Sequence, residues 1–337
     1  MERSPVLTTT TEGIYCPAGQ FHIDPWRPTD RALITHAHAD HARPGHRSYL
    51  CTPGTAPVLR HRLGNIHIET LPYSQTVQIG GAKVSFHPAG HVPGSAQIRV
   101  EVAGEIWVVS GDYKITPDGL SEAFEPVRCH GFITECTFGL PVFRWPNQVT
   151  VADDLNSWWQ QCQADGKTPV LAAYSLGKAQ RLLTLLDPGL GPILTHGAVE
   201  TTTAVLRAND YALPPTIPVK PDTQAADHPG ALLLAPPGAL DSAWTKRFGK
   251  TSNGFASGWM QLRGIRRRRA HDRGFVISDH ADWDGLNTAI AATGADRVLA
   301  THGYTEVFSR WLRDQGYDAG ILETEFSGDA EDTDNAA

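Results

Sequence analysis

Apolar and polar positions alternate most clearly in two stretches, Val77-Gln-Ile-Gly-Gly-Ala-Lys-Val-Ser-Phe-His87 and Gln97-Ile-Arg-Val-Glu-Val-Ala-Gly-Glu-Ile-Trp-Val-Val109, and each predicts a β-hairpin. Residues 14–35 read as short strands and turns, with Phe21-His-Ile-Asp24 ahead of a proline-rich turn and Arg31-Ala-Leu-Ile-Thr35 as an apolar strand. From about residue 146 the texture changes. Thr150-Val-Ala-Asp153 predicts a capping-box-like helix start, with the helix running to Ala164 before Gly166. Residues 169–175, 192–195 and 231–235 then read as buried strands and residues 177–186 as a helix, an alternation that predicts a parallel α/β layer. Residues 208–230, rich in Pro, Asp and Ala, read as a surface connection. The strand texture returns at residues 274–278 and 296–301.

Size and composition narrow the class. A chain of 337 residues suits two domains and can bury a large core. Its five cysteines, Cys16, Cys51, Cys129, Cys136 and Cys162, are odd in number and contain no C-x-x-C pair. That pattern suggests neither a disulfide framework nor a zinc-ribbon site and fits a reducing, cytoplasmic setting. No apolar run reaches the ~18 residues that span a bilayer, so no membrane partner is expected. The net charge of −7 sits at one end, because residues 318–337 hold seven acidic residues and no Lys or Arg. Elsewhere Arg263, Arg266, Arg267, Arg268, Arg269 and Arg273 form a basic cluster, which is either a footprint for phosphate contacts or a solvated turn.

The candidate chemistry lies where apolar strands end. Residues 33–41, Leu-Ile-Thr-His-Ala-His-Ala-Asp-His, place His36, His38, Asp40 and His41 directly after a strand, and these donors suit zinc or, with more carboxylate, manganese or iron. Asp24, His91, Asp112, Glu135, His280 and His302 recur in the same context. Side chains at one set of strand ends converge on a single crevice in layered α/β folds. Five histidines and two aspartates suffice for two metal ions that share one carboxylate.

The H-x-H-x-D-H cluster, His91 and Ser110-Gly-Asp112 resemble the metal motifs of the metallo-β-lactamase superfamily. Thr134-Glu135, Ser278-Asp-His280-Ala-Asp282 and Thr301-His302-Gly303 resemble the added motifs of its nucleic-acid-processing β-CASP branch, and residues 170–180 look like a β-CASP helix start. Within that branch, Ser257-Gly-Trp259-Met and Ser278–Trp283 look most similar to bacterial ligase-associated DNA exonucleases, relatives of the SNM1 repair nucleases. The resemblance covers roughly residues 14–325. It implies an α/β fold, specifically a metallo-β-lactamase αββα sandwich in residues 1–148 and 274–325 with a smaller α/β β-CASP domain inserted at 149–273. Residues 326–337 are expected to form a disordered acidic tail.

Carried over residue by residue, the family pattern puts His36, His38 and His91 on one divalent ion and Asp40, His41 and His302 on the other, with Asp112 bridging. Zinc is the first expectation and manganese the alternative. Asp24 resembles the aspartate that orients a ligating imidazole through its other ring nitrogen. The implied reaction is phosphodiester hydrolysis by a hydroxide activated between two metals, with His280 as general acid or leaving-group stabiliser, Glu135 orienting it and Asp40 required for activity. Ser175, Lys178, His196, Arg266 and Arg267 are candidates for substrate contact, although Lys178 reads equally well as a structural helix start. The expected substrate is DNA, as a single strand or strand end, in repair, with a DNA ligase or helicase as partner. His302 is retained where SNM1 nucleases commonly carry an apolar residue, which keeps RNA processing open. A non-catalytic nucleic-acid-binding subunit and a small-molecule metallohydrolase are the readings from other classes.

Overall fold

A computed structural model of the chain describes residues 5–240, 242–264 and 271–325. Arg266, Arg267 and the tail at 326–337 lie outside the described residues. The chain forms two compact units, the first ending at Phe143 and resuming at His280, the second running Arg144–Asp279.

The first unit holds two sheets. Thr8–Thr9, Ile14–Cys16, Phe21–Ile23, Arg31–Leu33, Ser48–Cys51 and Ile68–Thr70 pair in chain order, antiparallel at first and parallel from Phe21–Ile23 onward. The second sheet runs, in space, Asp318–Ile321, Arg297–Gly303, Gly131–Cys136, Glu105–Val109, Ala96–Val102, Ala82–Pro88 and Thr76–Ile79. Both alternating stretches form antiparallel hairpins here. Side chains from both sheets, among them Phe21, Ile23, Leu33, Phe86, Ile98 and Ile133, meet in one core. The opposite face of the second sheet buries Phe132 and Val298 against the helices Trp283–Thr293 and Thr305–Asp314, through Leu286, Ile290, Phe308 and Leu312. Thus Gly131–Cys136 is buried at every position, as a strand covered on both faces must be.

The second unit is a six-stranded sheet in which every pairing is parallel. Its helix Gln148–Ala164 begins two residues before the predicted start, because the Oδ1 of Asn147 accepts the Val149 N–H at 2.9 Å and closes the first turn. The Thr150–Asp153 box is therefore interior to the helix.

Candidate metal centre

Strand direction gathers the donors. Phe21–Ile23 and Arg31–Leu33 run parallel in the first sheet, and Ala82–Pro88, Glu105–Val109, Gly131–Cys136 and Arg297–Gly303 share one direction in the second. Asp24, the His36–His41 loop, His91, Asp112, Glu135 and His302 stand at or just past their carboxyl ends.

Among the described residues two groups of donors flank Asp112, and a third joins it to Glu135 and His280. His36 Nε2 and His91 Nε2 lie 3.1 and 3.0 Å from His38 Nδ1, while Asp112 Oδ2 lies 3.5 Å from the first and 3.6 Å from the second. On the other side of Asp112, its Oδ1 is 3.5 Å from His41 Nε2, which is also 3.6 Å from Asp40 Oδ2. The His302 ring packs against His41 with centroids 5.2 Å apart. One donor atom each from His36, His38, His91 and Asp112 falls within 4.8 Å of the others, and the same holds for His41, Asp112 and His302. Asp112 belongs to both groups, one oxygen turned to each. A small pocket lined by Asp24, Asp40, His41, Ser110 and His302 opens on the second.

The surrounding hydrogen bonds select which ring nitrogen faces inward. Asp24, held at φ 43°, accepts the Thr35 N–H at 2.8 Å on one oxygen, and on the other the Thr35 hydroxyl at 2.5 Å and the His41 Nδ1–H at 2.8 Å. Because the Thr35 proton is committed to Asp24, its oxygen accepts from His36 Nδ1 at 3.1 Å. Both His36 and His41 therefore present the Nε2 lone pair to the centre. Sequence reasoning missed Thr35; a hydroxyl in an apolar strand carries no spacing signal, and only its position directly before His36 hinted at the role.

His302 owes its aim to a β-bulge. Glu135 pairs with Thr301 but Cys136 pairs with Gly303, so His302 is the extra residue, at φ 53°. Bulges of this kind redirect a side chain beside a functional site. Gly303 has φ +89°, and a Cβ there would lie 2.3 Å from the Cys136 carbonyl oxygen, so only glycine lets the strands approach this closely.

Electrostatics fit the same picture. Burial holds His36 well below the ordinary imidazole value and also lowers His302. His41 goes the other way: burial opposes its charged form, but Asp112 and Asp40 raise it well above the usual range. Asp112, also against burial, is held well below the carboxylate range by His41 and His280. His41 Nε2 is nevertheless buried without a hydrogen-bond partner. An imidazole fixed at Nδ1 by a carboxylate, with an orphaned Nε2 aimed at two further carboxylates, lacks a cation there. The donor set fits divalent metal ions.

Glu135 and His280 form a third group with Asp112, one donor atom of each lying within 4.8 Å of the others. The His280 Nδ1 lies 2.8 and 3.0 Å from the two Glu135 oxygens, one of which also accepts the Tyr113 N–H at 2.8 Å. Glu135 is buried and His280 partly exposed. The backbone next to His280 is tied down by the Ala281 N–H bond to the Tyr113 carbonyl at 2.6 Å. The His280 ring stands 4.6 Å from that of His91, so the pair borders the first donor group. Tyr113, which serves both residues, was also not foreseen.

The remaining candidates lie in the second unit. Lys178 opens the helix Lys178–Leu185 but is only 5% exposed, with its ammonium 3.7 Å from Asp279 and 5.0 Å from the Tyr174 ring centroid. Ser175 stands just past the strand Thr168–Ala172, its carbonyl accepting from Gln180. His196 caps the helix Gly197–Arg207, Nδ1 accepting the Ala198 N–H at 3.2 Å, and its ring packs on Trp244.

Relatives sharpen what this site is. The chain matches no family model. It is 33% identical over 316 residues to a probable DNA ligase of Opitutus terrae, a match covering 93% of this chain and 30% of that protein. Over 215 residues it is 26% identical to an RNase J-like protein of Methanocaldococcus jannaschii, covering 53% of this chain and 50% of the relative. The chain belongs to the β-CASP branch of the metallo-β-lactamase superfamily. It spans at most half the length of these two curated relatives. A solved Enterococcus faecalis protein of unknown function is similar in fold to this β-CASP chain, with a TM-score of 0.59 at 12% identity over 87% of this chain and 79% of that one.

Proposed function

We propose that this chain is a metal-dependent nuclease that hydrolyses phosphodiester bonds, and more narrowly a DNA exonuclease acting in repair. The observation that carries the reading is the Glu135–His280 pair beside two donor groups that share Asp112. A general acid held by a buried carboxylate has a use where an alkoxide must leave, as in phosphodiester cleavage.

In this reading residues 1–148 and 274–325 form the αββα metallo-β-lactamase domain and residues 149–273 the inserted β-CASP domain. His36, His38 and His91 would hold one ion and Asp40, His41 and His302 the other, with Asp112 between them. Bound divalent ions, zinc or manganese, would supply a water acidic enough to attack phosphorus at neutral pH and would offset charge on the phosphoryl oxygens. The chain's own residues do the rest. Asp24 and Thr35 hold the His41 and His36 rings in the ligating tautomer. Glu135 accepts the hydrogen bond of the His280 Nδ1–H, so in the doubly protonated ring Nε2 is the atom that hands its proton to the leaving 3′ or 5′ oxygen, and the ring is left neutral. Ser175 and His196 remain candidates for contacting the strand. For Lys178, burial against Asp279 favours the structural alternative.

Similarity along nearly the whole chain to a probable DNA ligase supports DNA as substrate and a DNA ligase as partner; a helicase partner rests on resemblance alone. An RNA-processing nuclease is the second reading, favoured by His302 and by the RNase J-like relative. Digestion of 5′- and 3′-labelled DNA and RNA strands, with zinc and manganese in turn, separates the two. The DNA reading expects one labelled DNA end to be trimmed progressively; faster cleavage of RNA, at internal positions, would replace it.

A further inference from the structure

The two loops that carry His36, His38 and His91 are joined by one short helix, Thr55–Leu63, and its two ends grip them. At the C-terminal end the Arg62 guanidinium donates to the Ala37 carbonyl at 2.5 Å and reaches the Ala42 carbonyl at 3.5 Å. Ala37 lies between His36 and His38, and Ala42 follows His41, so one guanidinium nitrogen, Nη1, brackets the backbone of His38, Asp40 and His41 and holds the residue next to His36. At the N-terminal end the Thr52 and Thr55 hydroxyls both donate to the Gly94 carbonyl, at 2.6 and 2.8 Å. Gly94 lies three residues after His91, at φ +82°, and a Cβ on it would fall 2.4 Å from the Thr55 nitrogen, so this loop is pressed onto the helix start. From the other side Glu122 accepts the Gly94 N–H at 2.8 Å. Thr52 and Thr55 are fully buried, and polar groups there are kept only when paired.

We infer that the helix Thr55–Leu63 is a strut that sets the spacing between the two ligand-bearing loops, with Arg62, Thr52 and Thr55 as positioning residues for the metal centre. The inference rests on the reading of these histidines as metal ligands. A rigid helix of nine residues, about 13 Å long at ~1.5 Å per residue, fixes the separation of whatever its ends hold. Arg62 is suited to its end because its rigid, permanently charged guanidinium holds Nη1 against the two carbonyls, whereas an ammonium on a flexible stem is less pre-organised. The hydroxyls of the Thr52–Thr55 end reach the His91 loop, so this end bears on one ion. The Arg62 end bears on both.

The test is titration of the chelator-stripped full chain with zinc, followed by calorimetry, for the wild type, Arg62→Ala, Arg62→Lys and the double variant Thr52→Val/Thr55→Val, with thermal unfolding in chelator as the check on folding. The strut predicts that Arg62→Ala weakens zinc binding roughly 10–100-fold, the range seen when groups supporting metal ligands are removed. Arg62→Lys should recover only part of it, and the threonine pair should weaken one of two binding phases and spare the other. A folded Arg62→Ala and a folded threonine variant that both bind zinc as the wild type does would overturn the strut, even if their unfolding temperatures fall. A wild type that binds no zinc would instead remove the metal reading on which it stands.

Discussion

Among single residues, His280 and Glu135 carry the most specific expectations. His280→Ala should lower kcat by about 10²-fold or more with zinc stoichiometry unchanged, because a general acid acts on the leaving group and not on metal retention; single-turnover cleavage beside a metal assay checks both halves. Glu135→Gln should weaken kcat in the same direction, since the amide cannot match a carboxylate that faces His280 Nδ1 and accepts the Tyr113 N–H. His46 supplies a pH prediction away from the metal loop. Burial pushes it down to about 4, and its Nδ1 accepts the Thr29 N–H. The unfolded chain takes a proton near the ordinary value of ~6.5 while the folded chain waits until about 4, so stability is full above ~6.5 and is lost as the pH falls through that window. Melts of the chelated protein from pH 7 to 4 should show this loss, and His46→Gln should flatten part of it. The donor residues were legible because imidazoles and carboxylates are rare at the ends of apolar strands. Thr35, Tyr113 and Arg62 were not, because their roles depend on backbone groups brought near by folding.

At the scale of elements, the hairpins and the parallel layer could be read from periodicity, since alternation and buried runs reflect which faces are covered. The helix Thr55–Leu63 could not. Pro57 stands in its first turn, where the missing N–H costs nothing, but in sequence it reads as a breaker. Thr305–Asp314 was missed although Val307, Phe308, Trp311 and Leu312 recur at helical spacing and Phe308 and Leu312 are buried. The bulge at His302 is also invisible in sequence, apart from the glycine that follows. Gly303→Ala tests it: the left-handed backbone alone costs ~1–2 kcal/mol, and contact with the Cys136 carbonyl adds to that. The variant should melt earlier and lose one of two zinc-binding phases, because His302 can no longer be aimed at His41.

For the molecule as a whole, the −7 charge misleads if taken as uniform, because the excess of acidic over basic residues lies within 318–337. No helix among the described residues is long and apolar enough to cross a membrane. What unites the reading is that donors spread from residue 24 to residue 302 meet in the first unit, which sequence separation hides and strand direction explains. Digestion of end-labelled DNA and RNA by the chelator-stripped chain, restored with zinc or manganese and run beside Asp112→Asn, tests that claim most directly. The account predicts no cleavage by the stripped chain, cleavage on restoring metal, and none by Asp112→Asn under either condition. Cleavage that survives both stripping and Asp112→Asn would contradict it, as would a fully metal-loaded wild type that cuts neither strand.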